Sequence, residues 1–145
     1  MRTVPPRPIF KASLLVNIPA VVLNNKLEDV AKSSPQGFDR SSYQLPVEDK
    51  AKAIKSSISN AAQGANYLMV KPGMTSIDLI RDIKKETLLP TGAYQVSGEY
   101  ASLQMLSKAK FGNYVDLLLE SLTVLKRAQA DFIITYGARD IAKYL

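Results

Sequence analysis

Three side chains that could do chemistry stand at the ends of predicted β-strands: Lys71, Ser97 and Tyr136. Lys71 directly follows the apolar run Tyr67–Val70, and the turn-forming pair Pro72-Gly73 comes next. A lysine at a strand end can extend its amine into solvent while its methylene groups stay buried. Alternatively, burial lowers the pKa of the amine, and a neutral amine can attack a ketone to form a Schiff base. The local pattern leaves both interpretations open.

The amino-acid composition restricts the groups that could transfer protons. The chain of 145 residues contains no cysteine and no histidine. Disulfides, thiolate metal sites and an imidazole proton shuttle are therefore excluded within this sequence. Acid–base chemistry would fall to Lys, Tyr, Asp, Glu or water.

The formal net charge is +6, and such an excess can indicate nucleic acid or an anionic substrate as the partner. The basic residues are scattered at helical spacing among apolar positions, which favours solvated helix faces. No apolar run reaches the length of about 20 residues needed to span a bilayer. We therefore expect neither a nucleic-acid partner nor a membrane.

Helix and strand patterns alternate from residue 47 onward. Apolar residues recurring every three or four positions predict helices, and short apolar runs beside turn formers predict buried parallel strands. Three of the predicted helices are Val47–Ala61, Glu99–Lys110 and Ala138–Leu145. Another starts at a Thr75–Asp78 capping pair and has Ile77, Ile80 and Ile83 inward. The last runs from the cap Asn113 to Gln129 and has Leu118, Leu122 and Leu125 inward. The predicted strands are Tyr67–Val70, Thr91–Val96 and Phe132–Tyr136.

This order predicts an α/β fold with a parallel sheet and right-handed crossovers. In an α/β barrel the carboxyl ends of the strands form the active site, so Lys71, Ser97 and Tyr136 should lie on one rim. A whole barrel has eight βα units and typically about 250 residues. The predicted strands cannot close a barrel and would leave exposed edges. The pattern fits a fragment, one half of an assembly, or an open α/β domain.

Residues 1–26 form a segment of different character, with four prolines and no acidic residue. The segment could be a transit peptide, a strand with a loop, or a mistranslated gene start. We therefore divide the chain into an irregular segment at 1–26 and a partial barrel at 27–145. We expect a cytoplasmic protein, or one of a plastid or other organelle if the segment is a transit peptide.

Five stretches of the chain resemble the C-terminal portion of porphobilinogen synthase, also called 5-aminolevulinate dehydratase. They are KSSPQGFDRSSYQLP at 32–46, GANYLMVKPGM at 64–74, DLIRDIKKET at 78–87, AYQVSGEYA at 93–101 and LESLTVLKRAQADFIITY at 119–136. They follow the family's order, and the second and fourth are very specific. The resemblance implies the C-terminal part of a TIM (β/α)8 barrel with about three βα units.

The resemblance also implies a hydro-lyase that condenses two molecules of 5-aminolevulinate into porphobilinogen, for haem and other tetrapyrroles. It assigns Lys71 the Schiff base with one substrate, and it assigns Ser97 and Tyr136 the carboxylate of that substrate. Arg40 matches an arginine that binds the carboxylate of the second substrate, and Gln44 matches a neighbour in the same loop. Members of the family form large homo-oligomers and use zinc or magnesium, for which this sequence offers no identifiable ligands.

The sequence departs from the family pattern in ways that bear on activity. The family's N-terminal half, which supplies the metal segment and a second active-site lysine, finds no counterpart here. Glu28 stands where a second carboxylate-binding arginine is expected and would repel that carboxylate. Gln63 stands where some members have an acidic residue linked to an allosteric magnesium. The alternative is therefore a truncated, non-catalytic remnant or an assembly partner of a full-length synthase.

Overall fold

Parallel strands and helices alternate along the part of the chain that the structure, a computed structural model, describes: residues 15–17 and 45–144. The strands are β1 (Leu15–Asn17), β2 (Leu68–Lys71), β3 (Thr91–Tyr94) and β4 (Ile133–Ile134). The helices are α1 (Lys50–Ala62), α2 (Ile77–Thr87), α3 (Ser97–Lys108), α4 (Tyr114–Arg127) and α5 (Ala138–Ile141), followed by a 3-10 turn at Ala142–Tyr144.

The sheet has the order β1-β2-β3-β4, and every neighbouring pair is parallel. Lys71 pairs with Asn17 on one side, and on the other β2 pairs with β3 through Val70 and Ala93. The predicted parallel α/β arrangement is confirmed. β1 adds a strand within the segment whose character the sequence left open, and the expected boundary between residues 26 and 27 lies outside the described residues.

Helix α1 begins later than the apolar pattern predicts. The side chain of Asp49 accepts a hydrogen bond of 2.8 Å from the N–H of Lys52, so the helix starts at Lys50 and not at Val47. The buried positions are Ala53, Ser57 and Asn60, which lie one residue away from the predicted apolar face. Ile54 of the predicted face still packs, partly buried, against the core, so tertiary packing has rotated the buried face by about one residue.

The predicted capping role of Thr75 is wrong. Helix α2 begins at Ile77 after Ser76, whose side chain makes no capping bond, while the N–H of Thr75 donates to Glu99. The predicted inward face of α2 is confirmed at Ile80 and Ile83, which are fully buried. They belong to one core with residues of β2, β3 and α4: Leu68, Val70, Ala93 and Leu125.

Helix α4 follows its prediction closely. The side chain of Asn113 accepts a hydrogen bond of 2.9 Å from the N–H of Val115, and the helix starts at Tyr114. Leu118 and Leu125 are fully buried. The capping residue and the helical spacing are both local signals, which explains why the sequence predicts this element well.

Strands β3 and β4 are shorter than predicted because the chain turns into other structure. After Tyr94, the N–H of Gln95 still donates to the carbonyl of Ile134 at 2.9 Å, and Val96 then becomes the N-cap of α3. Inside β3, Gly92 lies against Phe132: a Cβ on Gly92 would stand 2.3 Å from the ring. None of the described helices is long and apolar enough to cross a bilayer.

Candidate active site

The carboxyl ends of β2 and β3 bring Lys71 and Tyr94 together. Lys71 is the last residue of β2 and is half-buried. Its Nζ lies 5.5 Å from the centroid of the Tyr94 ring, within the range of about 6 Å for a cation–π interaction. The sequence pattern alone does not mark Tyr94, because an aromatic residue in a strand is usually a packing residue. Its position as the last residue of β3 is the one signal that could have found it.

Tyr94 also connects Lys71 to Tyr136. The hydroxyl oxygens of Tyr94 and Tyr136 are 3.1 Å apart, and the ring centroids are 6.3 Å apart. Burial raises the pKa of Tyr94 to about 12, and the hydrogen bond with Tyr136 adds to this. Tyr94 therefore keeps its proton at neutral pH. Contacts thus run along the rim from Lys71 through Tyr94 to Tyr136, which is 56% exposed and accessible to a ligand.

Ser97 stands three residues beyond Tyr94 and is half-buried. It is the first residue of α3 and not the end of a strand, because the chain enters the helix directly after Val96. The first turn of a helix presents free N–H groups and a partial positive charge, which favours an anion. Arg40 and Gln44 lie outside the described residues, so their predicted roles stay predictions.

Glu99 is a buried carboxylate beside this rim, with 6% of its surface exposed. Its Oε1 accepts hydrogen bonds from the N–H groups of Met74 at 2.9 Å and Thr75 at 3.2 Å. Its Oε2 accepts one from the N–H of Val96 at 3.0 Å. Burial raises the pKa of Glu99, although these N–H groups act in the opposite direction. The sequence could have predicted the bond to Val96, because a glutamate three residues after an N-cap often accepts from the N–H of that cap. The bonds to Met74 and Thr75 have no such local signal.

A buried polar chain holds the backbone on both sides of Tyr136. Gln95 is fully buried; its Nε2 donates to Ser121 Oγ at 2.9 Å, and its Oε1 accepts from Thr135 Oγ1 at 2.6 Å. The N–H of Gly137 donates to Thr135 Oγ1 at 3.1 Å. Because Thr135 and Gly137 flank Tyr136, these bonds fix the segment that carries the tyrosine. The partners are far apart in sequence, and no local signal predicts them.

A second group of aromatic residues supports Tyr136 from the helical side. The ring of Tyr100, on α3, lies 5.8 Å from the ring of Tyr136. The hydroxyl of Tyr114 is 2.9 Å from that of Tyr100 and donates to Asp140 Oδ2 at 2.6 Å. Burial raises the pKa of Tyr114, and the bond to Asp140 adds to this. Tyr136 therefore stands between Tyr94 and Tyr100.

Metal ligation has no support in the described residues. Among them, no group of three or more Asp and Glu side chains is placed to hold a metal ion, and the sequence has no histidine or cysteine to add. The described residues at this rim present one amine, several hydroxyls and a helix N-terminus. We assign no step here to a metal.

Comparison with known proteins shows which family the chain matches. The family model described as delta-aminolevulinic acid dehydratase matches residues 24–144. Curated proteins of that name are 44% identical over 117 residues in Helicobacter pylori and 44% identical over 115 residues in Escherichia coli. These matches cover 81% and 79% of this chain, but only 36% and 35% of the relatives. The chain thus spans about a third of the length of the curated relatives it matches, in their C-terminal part.

A solved structure shows the same fold. It is the delta-aminolevulinic acid dehydratase (porphobilinogen synthase) of Toxoplasma gondii, in complex with the reaction product porphobilinogen. The TM-score is 0.84 at 32% sequence identity, over 92% of this chain and 38% of the other. That protein is a TIM barrel, and the described strands and helices form part of such a barrel, as the sequence predicts.

Proposed function

Because this chain belongs to the delta-aminolevulinic acid dehydratase family, we propose that it carries one substrate pocket of a lyase that condenses two 5-aminolevulinate molecules into porphobilinogen. The pocket is the rim at the ends of β2, β3 and β4. The single observation that carries the proposal is the continuous contact from Lys71 through Tyr94 to Tyr136. It joins the amine at the end of β2 to the hydroxyl of Tyr136, which the proposal assigns to the substrate carboxylate.

Lys71 is the nucleophile of this proposal. Nζ of Lys71 attacks the keto carbon of 5-aminolevulinate; the carbonyl oxygen leaves as water with the two hydrogens of the NH2 group, and a carbon–nitrogen double bond joins Lys71 to the substrate. The position of Lys71 at the end of a buried strand, next to the face of Tyr94, limits the orientations that the amine can take. A fixed orientation of the amine accounts for much of the rate acceleration that comes from holding two reactants close together.

Tyr136 and Ser97 hold the carboxylate of the same substrate. Hydroxyl groups donate hydrogen bonds to a carboxylate, and such charge-assisted bonds are stronger than neutral ones. The exposed hydroxyl of Tyr136 and the start of α3 at Ser97 support this role. Arg40 and Gln44 are the proposed contacts for the carboxylate of the second 5-aminolevulinate, on the strength of the sequence motif alone.

The resemblance implies zinc or magnesium in the family, and we assign neither of them a step in this proposal. The described residues do not supply a group that would hold either ion. We therefore restrict the proposal to what the chain's own residues do: they form the imine, bind a carboxylate and orient the reacting groups.

A second candidate is a non-catalytic partner that assembles with a full-length synthase. The observation that favours it is strand β4, which has two residues, a 45% exposed Ile134 and no further strand beside it in the described part of the chain. Mixing the chain with a full-length synthase and measuring both assembly and porphobilinogen formation separates this candidate from the first.

Reduction with sodium borohydride tests the role of Lys71. Incubation with 5-aminolevulinate and borohydride should add the mass of the reduced substrate to the peptide that contains Lys71. The variant Lys71→Arg should form no adduct, because a guanidinium stays protonated, whereas Lys85→Arg on the exposed side of α2 should behave as wild type. An unmodified Lys71 peptide in the wild-type chain would contradict the mechanism.

A further inference from the structure

Glu99 connects two segments that carry proposed site residues. Met74 and Thr75 belong to the turn that follows Lys71, and both donate their N–H groups to Oε1 of Glu99. Val96 directly precedes Ser97, and its N–H donates to Oε2. One side chain therefore bridges the turn after the amine and the start of the helix that carries a carboxylate-binding hydroxyl.

The bridge works across a part of the sheet where the backbone is already close. The N–H of Gly73 donates to the carbonyl of Tyr94 at 2.8 Å, and a Cβ on Gly73 would stand 3.2 Å from that carbonyl oxygen. The turn after Lys71 is therefore held twice, by Tyr94 through the backbone and by Glu99 through its carboxylate. Movement of either strand end would strain both contacts.

A carboxylate is the side chain that suits this position. Three N–H donors converge on it, and both of its oxygens accept. Glutamine has the same length but only one acceptor oxygen. Its NH2 group would therefore face the N–H of Val96 or the N–H groups of Met74 and Thr75, and two donors cannot form a hydrogen bond with each other. A buried N–H group that loses its acceptor pays the full cost of desolvation, so the segment would move to find another partner.

We propose that Glu99 is a positioning residue that sets the separation between Lys71 and Ser97. The inference rests on the proposed function, since that function gives the two residues the keto group and the carboxylate of one substrate. Glu99 itself does not contact the substrate in this scheme. It acts through the two backbone segments that its oxygens hold.

This role predicts which step of the reaction depends on Glu99. The carboxylate of 5-aminolevulinate can still bind to Tyr136 and Ser97 if the turn after Lys71 shifts, but the amine then no longer meets the keto carbon in the right geometry. Small misplacements of reacting groups cost large factors in rate. The rate constant for imine formation at saturating substrate should therefore fall, while the half-saturating concentration stays nearly constant.

The test compares Glu99→Gln with Glu120→Gln, which changes an exposed glutamate on α4. Adduct formation at Lys71 is followed over time by borohydride quenching across a series of 5-aminolevulinate concentrations. We expect Glu99→Gln to lower the saturating rate constant at least about tenfold and to change the half-saturating concentration less than about threefold. Glu120→Gln should leave both unchanged.

Amide hydrogen exchange gives a second, independent measurement. In Glu99→Gln, the amides on the side that the glutamine NH2 group faces, either Val96 or the Met74–Thr75 pair, should exchange faster, while that of Leu118 in α4 stays protected. Glu99→Asp keeps both acceptor oxygens and should recover part of the rate of imine formation. If Glu99→Gln does not fold, the saturating rate constant of Glu99→Asp relative to the wild type tests the positioning role of Glu99.

The outcomes separate the two proposals. Equal saturating rate constants in the wild type and in the folded Glu99 variants would overturn the positioning role, even with Lys71 modified. Unchanged protection of the three amides in Glu99→Gln would overturn it as well. Absence of any adduct at Lys71 in the wild-type chain would instead contradict the proposed function.

Discussion

The hydroxyl of Tyr94 lies 3.1 Å from the hydroxyl of Tyr136, while the ring of Tyr94 faces the Nζ of Lys71 at 5.5 Å. Tyr94 therefore contacts the proposed nucleophile with its face and the proposed carboxylate ligand with its hydroxyl. The two contacts use different parts of one side chain, so substitutions can separate them.

Replacing Tyr94 by Phe should weaken substrate binding without preventing imine formation. The ring next to Lys71 remains, but Tyr136 loses a partner worth about 0.5–1.5 kcal/mol. We expect a half-saturating concentration of 5-aminolevulinate that is raised about two- to tenfold in the borohydride assay. Tyr144→Phe, at a half-exposed site on the 3-10 turn, should have no effect. A complete loss of the Lys71 adduct in Tyr94→Phe would contradict this division of roles.

Replacing Gln95 by Leu should destabilise the protein. The change leaves Ser121 and Thr135 without their buried partner, and each such loss costs about 1–3 kcal/mol. The midpoint of urea unfolding should therefore fall clearly, whereas Gln63→Leu, at an exposed site, should shift it little. Equal midpoints for the two variants would show that the buried polar chain contributes nothing to stability.

Replacing Gly92 by Ala should destabilise the sheet through overpacking. The new methyl group would stand 2.3 Å from the ring of Phe132, and such crowding typically costs about 1–3 kcal/mol. Phe132→Leu in the same chain should restore part of the loss, because it removes the ring. Gly112→Ala meets Leu117 at 3.2 Å and should cost less. Thermal unfolding of the wild type, the variants Gly92→Ala, Phe132→Leu and Gly112→Ala, and the double variant at 92 and 132 measures these differences. Additive effects at 92 and 132 would argue against the clash.

Asp131 should make stability depend on pH in the acidic range. Its hydrogen bond from Lys84 at 2.7 Å, followed by that from the N–H of Thr91 at 2.9 Å, lowers the pKa of Asp131 below its usual 3.8. Because the folded-state pKa is the lower one, this stabilisation is present above about pH 4 and is lost as the pH falls through the folded value.

The matched variant for this pH effect is Asp131→Asn. The pair with Lys84 is about one-third exposed, so we expect a loss of no more than about 1 kcal/mol at neutral pH. The difference in unfolding free energy between wild type and variant should shrink as the pH falls from 5 towards 2. A difference that stays constant over this range would assign the effect to packing instead of charge.

The order of the elements after residue 47 and the family follow from the sequence by itself. Asn113 as a cap, the helical spacing of Leu118 and Leu125, and the short apolar run before Lys71 are local signals, and local signals depend only on neighbouring residues. The motifs YLMVKPGM and AYQVSGEYA indicate the family for the same reason: each is a continuous stretch. The roles of Arg40 and Gln44 have this support alone and stay predictions.

Contacts between distant segments were decided by the tertiary structure. Glu99 accepts from Met74 and Thr75, 25 and 24 residues before it, and Tyr94 meets Tyr136 at a separation of 42 residues. Such pairs depend on the register of the strands and on the position of α3 relative to β2 and β3. The spacing of apolar residues along the sequence specifies neither of these. The capping role that the sequence predicts for Thr75 is wrong, because the helix begins after Ser76. The N–H of Thr75 donates instead to Glu99, a carboxylate that only the folded sheet places nearby.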